Sequence, residues 1–362
     1  MNNQSYTRRI NERVRRRRRR AAVLTVFFIV ILLLALLSVF LVLHFTGRLG
    51  DGDDSSVTTE PPTQTQAPAE SGEPAGSETT AAPETTAPPA ETTAPPVTYT
   101  TLTLTRADMA KGDLILVSAD YPYVFPATEG HLTLTYGNKS KGYQLGSAQD
   151  KLDTRVLAAF NTAADAFLAE TGETGLILVQ NGAYRSYAAQ EDLYNRRVAK
   201  EGEEAAAKYV ALPGNSEHHT GLAMDLSVYT DGKMYGLDEL ETYQWVPKNF
   251  PRYGFVLRYP ASKVAITGIA YEPWHFRYVG IPHAVYMTNN NLCLEEYINT
   301  LRAYQADGTH LFVESDGITY EIWYVPLTDG EVTYALVPDG VPYSISGNNR
   351  DGFVVTLTLG RQ

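Results

Sequence analysis

The chain has 362 residues, enough for more than one folded unit, and its 44% hydrophobic and 11% aromatic content can build a core. Net charge is −11 but unevenly placed: residues 1–50 carry ten arginines and one glutamate, 51–97 carry nine acids and no base, and 98–362 carry 20 bases and 31 acids. A body this acidic excludes nucleic acid as a partner, because phosphate contacts need clustered Lys and Arg, and the single cysteine, Cys293, excludes both an internal disulfide and a cysteine-built metal site.

Arg13 and Arg15 to Arg20 close a basic tail, 1–20, and stand directly before an apolar run from Ala21 to Leu43 that only Thr25 and Ser38 interrupt. Those 23 residues are long enough to cross a hydrocarbon core of roughly 30 Å as a helix. An uncleaved transmembrane anchor is expected over 21–45. The arginines on its first side predict a cytoplasmic N-terminus, and hence a bacterial body held outside a single-pass membrane helix. A cleavable signal peptide is the alternative, but it has a shorter apolar core and a small-residue cleavage site. Residues 46–97 are rich in Thr, Pro, Ala, Glu and Ser, and the unit Glu84-Thr85-Thr86-Ala87-Pro88-Pro89 recurs from Glu91. Nothing there can bury a core, so a disordered linker is expected.

The body divides at sequence level into 98–305 and a β-rich appendage, 306–362. Residues 100–104, 114–117 and 132–134 read as short strands. Leu152, Val156, Phe160, Ala164 and Phe167 keep helical spacing over 150–170. A buried strand follows at 176–179, then a helix over 188–200. Further strands are expected at 222–228, 254–259 and 269–278, and a helix at 293–304. Beyond His310 the alternation of Tyr320, Ile322, Tyr324 and of Phe353, Val355, Leu357, with Asp-Gly turns at 316, 329 and 339, predicts an all-β stretch.

Three of the seven histidines fall in two polar clusters, Ser216-Glu217-His218-His219-Thr220-Gly221-Leu222-Ala223-Met224-Asp225 and Tyr271-Glu272-Pro273-Trp274-His275. His218, Asp225 and His275 supply two imidazoles and a carboxylate, a set that suits catalytic zinc with one position left open. Glu272, three residues before His275, is placed to act as a general base. A lone histidine is more often structural than a ligand, and spacing alone leaves His219 as an alternative to His218.

The two clusters match Ser-x-His-x-x-Gly-x-Ala-x-Asp and Glu-x-Trp-His, in that order and about 50 residues apart. This pair resembles the signature of the VanY-like D-alanyl-D-alanine carboxypeptidases, which are related to hedgehog-like and lysostaphin-like zinc domains. Gly182-Ala183-Tyr184-Arg185-Ser186-Tyr187, Gly254 to Pro260 and Tyr278-Val279-Gly280 are similar to family text as well. The likeness spans about 120–285 and leaves the stretch after about 305 unexplained. It implies an α+β fold, a mainly antiparallel sheet with packed helices holding a catalytic zinc. It further implies His218, Asp225 and His275 as metal ligands, His219 as a non-ligand, Glu272 as base and then acid, and Arg185 at the scissile carbonyl oxygen. Ser216 and Gln190 are candidates for holding the substrate's terminal carboxylate. The substrate implied is a peptidoglycan stem peptide, and a monomer is expected. Two alternatives remain. One is an L,D-carboxypeptidase acting on tetrapeptide stems. The other is a wall-binding module with a non-catalytic zinc site, against which the presence of Glu272 and Arg185 argues.

Overall fold

The computed structural model describes residues 97–361. The expected basic tail, the anchor and all but the last residue of the linker lie outside these residues. No helix among the described residues is long and apolar enough to cross a membrane.

The chain enters through β1 (Tyr99–Thr105), then β2 (Leu132–Leu134), β3 (Gln144–Leu145) and β4 (Lys151–Asp153). Helix α1 (Thr154–Thr171) follows at once. The Asp153 side chain accepts from the Arg155 N–H at its start, and Gly172 ends it in the left-handed region at φ 71°. Val156, Phe160, Ala163 and Phe167 form its buried face. Strand β5 (Leu176–Leu178) leads to α2 (Tyr187–Glu201), which begins where the Ser186 hydroxyl accepts from Ala189 N–H. Next come β6 (Ala223–Thr230), β7 (Lys233–Tyr235), β8 (Phe255–Leu257) and β9 (His275–Tyr278). The central sheet has the order β3-β5-β6-β9-β8, with β7 also on β6; β3 and β5 are parallel and the rest antiparallel. Met224, Leu226 and Val228 of β6 point into the core against Phe160, Phe167, Phe250 and Phe276. The alternating residues Asp225 and Ser227 are therefore left for the other face.

Two helices, α3 (Ile281–Asn289) and α4 (Leu294–Leu301), precede β10 (Leu311–Ser315), β11 (Ile318–Pro326), β12 (Val332–Pro338), β13 (Tyr343–Gly347) and β14 (Gly352–Arg361). The last sheet has the order β10-β11-β14-β13. Its residues Leu311, Val313, Ile322, Tyr324 and Val354 share a core with Ala284, Met287, Leu294 and Ile298 of α3 and α4. Strand β12 pairs with β1 across seven residue pairs, from Tyr99–Pro338 to Thr105–Val332. The stretch expected as an appendage thus buries its apolar face on the preceding helices and takes its strand partner from the start of the body.

Two expected strands differ, the helix expected from 150 begins only at Thr154 after β4, and one helix was not expected. Leu114–Val117 is buried but forms no strand: its N–H groups bond to the Ser346 hydroxyl and the Asn348 carbonyl. The strand expected over 269–278 contracts to β9, since Pro273 carries no N–H for a ladder. Helix α3 was not anticipated, although Pro282 in its first turn is a helix-start signal.

Candidate active site

Asp225 and His275 are directly paired across β6 and β9, so strand alternation places both side chains on the same face of the sheet. His218 comes from a 3-10 turn, Glu217–Thr220, which Ser216 caps and which Gly221 ends at φ 72° before β6 begins. His218 Nε2 lies 3.3 Å from Asp225 Oδ2, and His275 Nδ1 lies 2.8 Å from Asp225 Oδ1. One ligand atom from each of the three residues lies within 4.8 Å of the others. His218 Nδ1 donates to the Ala183 carbonyl at 2.8 Å, which leaves the Nε2 lone pair on the Asp225 side. Two imidazoles and a carboxylate, all buried or nearly so, fit a divalent metal held by three protein ligands.

The loop that supplies Ala183 and Arg185 lies against β6 because residue 182 is glycine. A Cβ there would stand 2.9 Å from the Asp225 carbonyl oxygen and 2.6 Å from Val179 Cγ2. Gly182 also accepts the Asp225 N–H at 2.6 Å, so the close approach fixes the loop relative to the ligand strand.

His219 points elsewhere. Its Nδ1 donates to the Arg185 carbonyl at 2.6 Å, its Nε2 accepts the Gly214 N–H at 3.0 Å, and its ring lies among Tyr123, Phe125 and Tyr187. Both of its nitrogens are thus engaged away from Asp225.

Around the three candidate ligands opens a cavity of about 370 Å³, whose lining includes Arg185, Gln190, Ser216, Tyr259, Glu272 and Trp274. Burial pushes the Glu272 carboxyl up to about 7, and among the described residues no group hydrogen-bonds its side chain. Burial, reinforced by the nearby Arg185 charge, pulls the His218 imidazole down to about 4. Burial would also lower His275, but its hydrogen bonds to Asp225 and Glu217 raise it to about 9. Asp225 is driven up by burial and, more strongly, down by the two histidines, ending well below the carboxylate range.

Arg185 is held by Gln190 Oε1 at 2.9 Å and faces Asp225 Oδ2 at 3.6 Å, while its buried Nε has no hydrogen-bond partner among the described residues. Gln190, expected at a substrate carboxylate, also donates Nε2–H to the Ala211 carbonyl at 2.8 Å, so this side chain first of all braces the arginine. The Ser216 hydroxyl oxygen accepts the His218 N–H at 3.4 Å and keeps its own proton to donate.

A model of the VanY family, D-alanyl-D-alanine carboxypeptidase, matches residues 152–281. A D-alanyl-D-alanine carboxypeptidase of Enterococcus faecium is 32% identical over 261 residues, 71% of this chain and 79% of the relative. The chain belongs to the VanY family of D-alanyl-D-alanine carboxypeptidases. It is therefore an enzyme, a peptidase of the carboxypeptidase type. A second VanY relative, the D-alanyl-D-alanine carboxypeptidase of Enterococcus faecalis, is 34% identical over 163 residues, covering 42% of this chain and 57% of its own length. Among solved structures, the vancomycin-resistance D,D-dipeptidase VanXYg in complex with a D-Ala-D-Ala phosphinate analog aligns with a TM-score of 0.61 at 33% identity. That alignment covers 72% of this chain and 99% of the other.

Beneath this VanY-type site lies a buried charged cluster that the sequence reading did not assemble. Arg258 and Arg277 both donate to Glu217 Oε1 at 2.8 Å, and Arg258 also grips Glu295 of α4 with two bonds of 2.7 and 2.9 Å. A signal for it was present. Charges inside the apolar strand text Phe-Val-Leu-Arg and His-Phe-Arg-Tyr must find partners when buried.

Proposed function

We propose that the chain is a zinc-dependent D-alanyl-D-alanine carboxypeptidase that removes the terminal D-Ala from peptidoglycan stem peptides outside the membrane. The observation that carries this reading is the union, around one cavity, of the His218/Asp225/His275 set with a buried carboxylate, Glu272, and a braced arginine, Arg185. The VanXYg relative, in complex with a D-Ala-D-Ala phosphinate analog, supports the D,D preference over the L,D one.

His218, Asp225 and His275 would hold the zinc. Bound there, zinc would supply Lewis acidity and lower the pKa of water in the cavity. Glu272 takes a proton from the attacking water and returns it to the amine of the departing D-Ala. A carboxyl near 7 is suited to both transfers at neutral pH. Arg185 offers its unpartnered Nε–H to the carbonyl oxygen as negative charge builds there. The Ser216 hydroxyl proton is available for the terminal carboxylate, and that carboxylate is what would restrict the enzyme to chain ends.

Membrane anchoring and an extracytoplasmic site rest on the arginine block and the apolar run that follows it. The full-length chain should release one alanine from a pentapeptide stem ending in D-Ala-D-Ala, seen by mass spectrometry, and lose that activity on zinc chelation. Release from the tetrapeptide alone, or full activity after chelation, overturns the proposal.

A further inference from the structure

We propose that Glu217 is a positioning residue that sets the tautomer of His275. Its Oε2 accepts the Nε2–H of that ring, and the Nδ1 lone pair is thereby left for the metal. The proposal rests on the zinc reading above and extends it to a residue with no place in the donor set.

Glu217 precedes His218 on the capped turn, and its side chain is wholly buried. Oε1 accepts from Arg258 Nε and Arg277 Nη1, each at 2.8 Å. Oε2 lies 3.5 Å from His275 Nε2. A carboxylate that faces two guanidiniums is ionised and has no proton to give, so the hydrogen at the Oε2 contact must sit on the imidazole. When the ring gives up one proton to take a metal, Nε2–H stays on Glu217 and the lone pair appears on Nδ1, the atom 2.8 Å from Asp225 Oδ1. His218 shows the mirror arrangement. There the Ala183 carbonyl, equally without a proton, takes the Nδ1–H and leaves Nε2 on the Asp225 side. Each ring is thus fixed by an acceptor behind it, one a carbonyl and the other a buried carboxylate.

The carboxylate is itself held on several sides. Arg277 Nη2 donates to the Asp113 and Ile115 carbonyls at 2.9 Å each, and its Nε to the Tyr278 carbonyl at 3.0 Å. The outer edge of Arg258 is tied to Glu295 in the first turn of α4. Two acids and two arginines make the cluster neutral overall, so Glu217 stays charged without leaving a net charge in the core.

Substitution by glutamine tests the tautomer directly. In E217Q the amide oxygen stays with the arginines, and the amide N–H group then faces His275 Nε2. That contact demands an acceptor and pushes the ring proton to Nδ1, where it blocks the metal. In competition with a chromogenic chelator, full-length E217Q should bind zinc about ten- to a hundredfold more weakly than the unaltered chain. E295Q is the control. It removes the same charge from the same cluster without touching His275, so it should melt at a lower temperature yet keep the zinc affinity. Should E217Q fail to fold, the pair E217Q/R277Q keeps the cluster neutral and carries the same measurement. Equal zinc affinity in E217Q and the unaltered chain overturns the proposal. So does an equal loss in E295Q, which would make the cluster's role purely structural. An unaltered chain that binds no zinc overturns the zinc reading itself, and this inference with it.

Discussion

Replacing Glu272 by Gln should make the metal-free protein more stable while it disables the enzyme. Burial raises this carboxyl from 4.5 to about 7, so the folded chain holds the proton more tightly than the unfolded one. Its contribution to stability is therefore complete below about pH 4.5 and is lost as pH rises through about 7. At about 1.4 kcal/mol for each tenfold change in binding, the ionised group costs the folded state about 3 kcal/mol above pH 7. The residue is only 5% exposed, so water screens little of that cost. Glutamine keeps the shape and never ionises. Metal-free E272Q should melt roughly 6–12 °C above the metal-free unaltered chain at pH 8, with the difference closing by pH 4.5. Bound zinc attracts the carboxylate and should shrink the gain. In the same variant kcat should fall by about 10²–10⁴ with zinc retained. In the unaltered enzyme kcat/KM should decline as pH drops through about 7 or somewhat below, as the base is protonated. A variant that melts lower at pH 8, or retains most of its kcat, would refute the assignment of Glu272 as a buried base.

His219→Ala should keep one zinc per chain, measured by metal analysis. It strands the Arg185 carbonyl and the Gly214 N–H, so a stability loss of about 2–5 kcal/mol and a lower kcat are expected; loss of the metal would instead make His219 a ligand. A chain ending after Gln305 should precipitate or melt far lower, because Leu311, Ile322 and Val354 complete the core over α3 and α4 and β1 loses its partner; normal folding and hydrolysis by that truncated chain would show the last sheet to be dispensable. Protease added to wall-stripped cells should release a fragment beginning within 51–97, whereas a secreted protein starting just past residue 43 would favour a cleaved signal peptide.

What was legible in the sequence was local. The 3.6-residue spacing of Val156, Phe160 and Phe167 gave α1 and its C-terminal end, but its start was placed in what is β4, where Leu152 lies; the period of two in Tyr320, Ile322 and Tyr324 gave β11. The Gly221-to-Asp225 spacing ran from the end of one turn into a strand. Pairing Asp225 opposite His275 needed in addition that the two clusters occupy neighbouring strands in one particular register. Partners distant in the chain were not legible. Leu114–Val117 has the composition of a strand, yet its N–H groups are met by Ser346 and Asn348, more than 200 positions away, and no periodicity reports that. The appendage looked separable for the same reason. Its alternation shows a buried face but not that α3 and α4 cover it.

The charged cluster shows where the two kinds of information meet. Arg258 comes directly after Phe255-Val256-Leu257 of β8, and Arg277 follows His275-Phe276 within β9, strands that must be buried for their apolar residues to be useful. Two guanidiniums in such strands cannot stand uncompensated, so the sequence alone requires acids nearby. It does not say which. Glu217 is 41 positions from one arginine and 60 from the other, and Glu295 reaches Arg258 from α4. The acid that meets both arginines is the one beside His218 and against His275. Glu295 on α4 touches Arg258, Arg258 touches Glu217, and Glu217 in turn faces His275. A continuous line of contacts thus runs from the helix that packs on the C-terminal sheet to His275, although among the described residues none after 305 lines the cavity.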